Sequence, residues 1–220
     1  MSKLERLEVL IGKEDLKRLK NKRILICGVG GVGSFVAEGL ARSGIGYIDI
    51  CDFDNIEESN LNRQIMTTKN NIGQSKVEAL KKHIEEISDT KVNAYRRYID
   101  ESFELGTYDY VIDCIDSLKS KFELVKKAHF KNVPIISCLG TAKRLSQKGL
   151  TYTTLDKTRN DPLAKAFRNL VKKEHYNKKI KVVYIDSNYI KSEKLGSCIF
   201  ATGAAGLFVG EIVFKELLKK

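Results

Sequence analysis

Arg23-Ile24-Leu25-Ile26-Cys27-Gly28-Val29-Gly30-Gly31-Val32-Gly33 opens the part of the chain whose reading decides the fold. The first five residues are an apolar run short enough for a buried strand. The glycines follow at once, and Ser34 to Ser43 continues with helical spacing. Tyr47 to Cys51 is a second strand candidate and ends in two acids, Asp52 and Asp54. Strand, glycine turn, helix and strand make a βαβ unit. Gly28 lets the chain turn out of the strand. Gly30 and Gly31 clear the space through which a phosphate reaches the backbone, and Gly33 lets helix and strand sit close together. The helix start offers free N–H groups and the positive end of its dipole to an anion. Asp52 lies 19 residues after Gly33, about where a carboxylate meets a ribose hydroxyl. Taken alone, the turn reads as a dinucleotide site, so an NAD-dependent reductase is one reading and a tight turn without ligand another.

The residues after Asp54 shift the balance. Asn60-Leu61-Asn62-Arg63-Gln64 precedes Gly73-Gln74-Ser75-Lys76, which opens a further helix. A nicotinamide site has no need of an arginine and a lysine converging on a phosphate chain. A nucleoside triphosphate does, because its spread negative charge must be held and neutralised during transfer.

Gly-x-Gly-Gly-x-Gly, Asp52-Phe53-Asp54 and Asn60-x-Asn62-Arg63-Gln64, in that order and spacing, resemble the ThiF/MoeB/HesA adenylating superfamily, to which ubiquitin-activating enzymes belong. The resemblance implies ATP-dependent activation of a carboxylate in an α/β fold, with a doubly wound, mostly parallel sheet, a Rossmann-like nucleotide site and a C-terminal β/α extension. It also implies roles for residues of this chain. Asp52, with Asp54 beside it, goes to the ribose end, the Gly28–Gly33 backbone to phosphates, and Arg63 and Lys76 to the phosphate chain. Asn62 and Gln64 are secondary nucleotide contacts. Asp116 matches the family's Mg²⁺ ligand. Arg6 matches an arginine that relatives send into a partner subunit's nucleotide site, so a homodimer is expected; the plain alternative is an exposed helix arginine. Lys76 stands on a first helical turn, where a cation opposes the dipole. A structural reason for it is therefore weak and phosphate contact preferred.

At 220 residues, the chain is long enough for one sizeable domain, here a single adenylating domain over 1–220 with a helical arm over 1–22. Met1 to Lys22 is too charged for a signal peptide. Leu195 to Gly210, an uncharged stretch of 16 residues with four glycines, is short of the ~20 a spanning helix needs. It reads as a buried core helix, with no membrane association and a cytoplasmic location. Five cysteines with no repeated spacing and no Cys-x-x-Cys read as reduced thiols. Many relatives hold zinc on two such pairs; no zinc is expected here.

Net charge is +11, yet Thr141 to Lys181 alone holds twelve Lys/Arg against three Asp/Glu. So lopsided a block suggests a polyanionic partner, nucleic acid first; the competing reading is a solvated lysine-rich surface. Region 141–195 is therefore read as a basic substrate-facing region, with Lys157, Arg159, Lys165, Arg168 and Lys172 as candidate nucleic-acid contacts, which the resemblance that follows makes tRNA contacts. Lys157-Thr158-x-x-Asp161-Pro162-Leu163 with its basic helix resembles the TcdA/CsdL branch, the tRNA threonylcarbamoyladenosine dehydratases. That resemblance implies cyclodehydration of the modified adenosine beside the anticodon, using ATP and releasing AMP and pyrophosphate. The alternative within the superfamily is an activating enzyme for a small ubiquitin-like sulfur-carrier protein, for which a sulfur-transfer protein is a further partner. A non-catalytic tRNA-binding scaffold would keep the basic block and need none of the site residues.

Element spacing along the chain predicts helices over 4–20 (broken at Gly12), 76–87, 119–131 and about 162–173. It predicts strands over 91–99, 108–116, 133–138, 149–155 and 181–186. Asp161 is the expected N-cap and Pro162 the first residue of its helix. Asp113 is expected to cap the next helix or to orient Asp116. Gly203, Gly206 and Gly210 would permit close packing of the C-terminal helix, and Cys198 lies where relatives hold a reactive cysteine. The chain is shorter than many relatives between Lys173 and Cys198.

Overall fold

The computed structural model describes residues 3–219. Met1 and Ser2, at the start of the expected arm, and Lys220 lie outside the described residues. Seven strands form one sheet in the order β3-β2-β1-β4-β5-β7-β6. They are β1 (Arg23–Cys27), β2 (Tyr47–Cys51), β3 (Lys91–Tyr95), β4 (Tyr110–Asp113), β5 (Ile135–Cys138), β6 (Leu150–Thr154) and β7 (Lys181–Ile185). All neighbours are parallel except β6, which runs antiparallel to β7 at one edge. The helices are α1 (Glu5–Ile11), α2 (Lys13–Lys20), α3 (Gly33–Arg42), α4 (Lys76–Ile87), α5 (Leu118–Phe130), α6 (Pro162–Lys173) and α7 (Ile199–Leu218).

Alternate residues of β1 show how both faces are covered. Ile24 and Ile26 enter a core shared with α3, α4 and α7, and Leu25 and Cys27 enter the core under α5 and α6. A parallel sheet buried on both faces reads as continuous apolar runs, as these strands do. β3 ends at Tyr95, short of the expected Ile99, and so frees Arg97, Tyr98 and Ile99 to turn toward the carboxyl edge. The expected strand over 108–116 is likewise confined to Tyr110–Asp113, which leaves Asp116 on a loop.

The N-terminal arm breaks at Gly12, whose φ of 81° belongs to glycine. Among the described residues no helix is long and apolar enough to cross a membrane. The apolar C-terminal segment instead forms α7, which packs along α3. A Cβ at Gly206 would lie 2.4 Å from the Val32 carbonyl, and one at Gly203 3.2 Å from the Phe35 ring. Gly210 is looser, with its nearest neighbour at 3.8 Å, so two of the three expected glycines carry the close approach. Through them α7 braces the helix that starts at the glycine turn.

Candidate functional site

The chain passes from β1 outward through β2 to β3, then crosses back to β4 on the other side of β1. At such a switch point two loops diverge and leave a crevice at the carboxyl ends of the strands. Here they are the glycine turn after β1 and the segment Cys114–Ser117 after β4. They meet closely. A Cβ at Gly28 would fall 2.6 Å from the Cys114 carbonyl oxygen, and Gly28 has φ 83°. A Cβ at Gly33 would fall 1.9 Å from the Gly28 carbonyl oxygen. A Cβ at Gly30 would meet only the Gln64 side-chain amide, at 3.9 Å, whereas Gly31 clears room for Arg63 and Thr202. Of the two, Gly30 leaves the turn open toward the cleft and Gly31 admits the arginine.

A cleft of about 940 Å³ opens at this edge. It brings together Gly28, Gly30, Gly31, Asp52, Asp54, Arg63, Gln64, Lys76 and Asp116 from the expected set. Gly33, Asn62 and Arg6 do not line it. Asp52 accepts the N–H groups of Val29 (2.8 Å) and Asp54 (2.9 Å), which ties the acid to the turn. Burial raises its carboxyl above the usual aspartate value, against the pull of those N–H groups and of Lys76. Lys76 Nζ lies 2.6 Å from Asp54 Oδ2 with only a tenth of its side chain exposed. The lysine therefore has a structural partner after all, which corrects the expectation drawn from its helix position. The ion pair offsets the unfavourable dipole and holds the ammonium at the cleft.

Arg63 is half-buried and donates through Nη1 to the Ser59 carbonyl (2.7 Å) and Asn62 Oδ1 (2.9 Å). The Asn62 amide donates to the Ser197 carbonyl at 3.0 Å. Asn62 thereby braces Arg63 and the start of α7 from outside the cleft. Gln64 is buried and accepts from the Thr67 hydroxyl. Asp113 is fully buried. Its Oδ1 accepts the Ile115 N–H and its Oδ2 meets Lys121 Nζ at 2.8 Å. It shapes the loop bearing Asp116 and does not cap α5, whose N-cap is Ser117. Asp116 itself is exposed at the cleft, and among the described residues no group of three or more His, Cys, Asp or Glu could hold a metal. A lone carboxylate at a phosphate site still suits Mg²⁺, which draws its other ligands from phosphate and water.

Arg168 departs from its expected role. Its guanidinium donates to the Thr158 carbonyl at 3.0 Å and also to the Thr158 hydroxyl, so it fastens α6 to the preceding turn. Lys157, Arg159, Lys165 and Lys172 are exposed but line the outer surface and not the cleft. Arg6 is exposed on α1, a helix with no buried residue. Cys198 is half-buried at the N-cap of α7 and outside the cleft lining.

Three features of the site were not found from sequence. Phe53 and Tyr98 stack at the cleft with ring centroids 3.5 Å apart; Tyr98 falls within the strand expected over 91–99, which ends at Tyr95. Lys121, hidden in an amphipathic helix, links the ends of β4 and β5. Arg144 and Asp161 wall the far side of the cleft. Asp161 was legible only as a helix cap, and it does accept the Ala164 N–H at 2.7 Å.

A profile of the ThiF family matches residues 4–212. A protein of Bacillus subtilis (strain 168) named tRNA threonylcarbamoyladenosine dehydratase is 34% identical, over all of this chain and 96% of that protein. One of the same name from Escherichia coli (strain K12) is 32% identical over 89% of this chain and 71% of that protein. The crystal structure of the E. coli tRNA N6-threonylcarbamoyladenosine dehydratase in complex with ATP superimposes with a TM-score of 0.89 at 27% identity, covering 98% of this chain and 93% of that one.

Proposed function

Because this chain belongs to the ThiF family, we propose that it uses ATP to adenylate the carboxylate of threonylcarbamoyladenosine in tRNA, next to the anticodon, and closes that group into a ring. The observation that carries this reading is the convergence, in one cleft at the switch point, of the glycine turn, Asp52, Arg63, Lys76 and Asp116. The end-to-end likeness to a relative named for this nucleoside favours it over activation of a sulfur-carrier protein.

The substrate carboxylate oxygen attacks the α-phosphorus, the bond to the β-phosphate breaks, and pyrophosphate leaves. A nitrogen of the same modification then attacks the acyl carbon, its proton is lost, and AMP departs with the former carboxylate oxygen. The nucleoside has then lost one water. The protein's part is positioning and charge neutralisation. Asp52 holds the ribose, and its bonds to Val29 and Asp54 keep the turn in shape. Lys76 leaves Asp54 for the phosphate chain, and Arg63 joins it from the loop above Gly31. Mg²⁺ would be held by Asp116 and supplies further neutralisation of phosphate charge when bound. Region 141–195 presents the exposed cations Lys157, Arg159, Lys165 and Lys172 to tRNA phosphates. The exposed Val9 and Leu10 (81% and 80%) on α1 support an arm that seats on a second copy, with Arg6 reaching its nucleotide site.

The test is incubation with ATP, Mg²⁺ and tRNA carrying threonylcarbamoyladenosine, followed by nucleoside mass spectrometry. ATP-dependent loss of one water is expected. An unchanged nucleoside mass overturns the reading.

A further inference from the structure

The cleft is wider than a nucleotide site at the switch point requires. Neighbouring strands are about 4.8 Å apart, so the edge from β2 across β1 and β4 to β5 spans roughly 14 Å. The ribose and phosphate groups belong to the β2–β1–β4 part, where Asp52, the glycine turn and Lys76 stand. The β5 part is formed by the loop after Cys138, by the start of α6, and by the segment before α7, which adds Tyr189 and Leu195. The total of about 940 Å³ lies near the top of the ~300–1,000 Å³ range of ligand pockets.

This second half is held in an unusual backbone shape. Lys143 and Asn160 are both left-handed, with φ 58° and 49°. Non-glycine residues persist there only where their surroundings compel it, and such strain gathers at functional sites. Arg144 does the compelling. Its guanidinium donates to the carbonyls of Gly140 (3.3 Å), Ala142 (3.1 Å), Asn160 (3.0 Å) and Ser187 (3.4 Å), and lies 3.7 Å from Asp161 Oδ2. Three segments distant in the chain are thereby clasped by one buried side chain. The Asp161 carboxylate packs under Gly140, where a Cβ would lie 2.1 Å from it. Both residues are only 4% exposed. Arg144 Nε and Asp161 Oδ2 nevertheless have no hydrogen-bond partner among the described residues. Buried groups are ordinarily satisfied, so the clasp carries a polar cost just behind the wall of the cleft. Tyr189, 41% exposed, offers a ring face on the segment that Lys143 ties down through the Gly196 carbonyl and the Ile190 N–H.

We infer that this half of the cleft is the seat of the modified adenosine, with Tyr189 as its stacking face and Arg144 as the positioning residue that holds the wall against it. The inference rests on the function proposed above. An aromatic face accepts any base, and its loss weakens binding of that base alone.

The experiment compares Tyr189→Ala, Arg144→Lys and the unaltered full-length protein, measuring KM for the modified tRNA and, separately, ATP affinity. Lysine keeps the charge at position 144 but not the planar fork that reaches four carbonyls. Both variants should raise KM for tRNA by roughly tenfold, the scale of one lost base stack, with ATP affinity within about twofold of the unaltered protein. An unchanged KM in Tyr189→Ala overturns the inference, and so does an equal loss of ATP affinity in either variant. If Arg144→Lys does not fold, the exposed Tyr189→Ala decides alone. Failure of the underlying function would show differently, as no ATP-dependent loss of water by the unaltered protein.

Discussion

Lys121 and Asp113 form an ion pair with Nζ 2.8 Å from Oδ2 and neither side chain exposed. The same ammonium donates to the Cys138 carbonyl at 3.0 Å, and the other carboxylate oxygen accepts the Ile115 N–H at 3.0 Å. One buried cation therefore joins the ends of β4 and β5, from which the two halves of the cleft spring. Lys121→Met strands a buried carboxylate and should destabilise the fold by about 3–5 kcal/mol. Adding Asp113→Asn should restore part of that loss. Denaturant titration of the single and double variants measures both.

Arg63→Ala and Lys76→Ala should each lower tRNA-dependent AMP release by about 10²-fold or more, the range for removing one preorganised donor from a developing charge. The Lys76 change also leaves Asp54 without its cation, but Asp54 is 44% exposed, and water takes over there. Circular dichroism should show the fold retained. Normal turnover in both variants would remove the adenylation assignment.

The Asp52 carboxyl is raised above its usual 3.8 by burial. A raised acid keeps its proton to a higher pH, so on acidification the charged acceptor for the ribose and for Val29 is lost early. ATP affinity should therefore fall on the acid side at a pH above 3.8, and Asp52→Asn should bind more weakly at neutral pH but lack that fall. The stability linkage runs in the opposite direction to the ATP affinity. This raised carboxyl contributes stability that is present below the unfolded value and is lost as pH rises through the folded one. ATP titrations across pH for both proteins test the first statement.

Lys165 and Lys172 are exposed on α6, whereas Arg168 is committed to Thr158. Reversing the charge at Lys165 and Lys172 should weaken tRNA binding and flatten its salt dependence by about 0.7–0.9 per lost phosphate contact. Arg168→Glu should instead lower the melting temperature. A salt slope unchanged by the lysine reversals would take this face out of the tRNA path.

If Arg6 acts across an interface, mixing Arg6→Ala with Lys76→Ala subunits should restore activity that neither shows alone, because one site in the mixed dimer is then intact. Absence of rescue would mean that Arg6 does not act across the interface.

What the sequence by itself determined was local and periodic. The βαβ unit, the glycine turn, the acids at the end of β2, the limits of α4 and α6, and the cap at Asp161 all follow from neighbours within a turn or a strand. Backbone sterics and capping act over that range, so residue order suffices to read them. The tertiary structure decided which side chains meet across long separations. Lys121 reaches Cys138 from inside a helix for which the sequence predicted only the span. Arg144 gathers Gly140, Asn160 and Ser187. Lys76 meets Asp54, 22 residues earlier, and Arg168 turns inward to Thr158. A charge in a sequence shows that a partner is needed. Only the packing of strands and loops selects that partner, because burial makes an unpaired charge costly and a paired one tolerable.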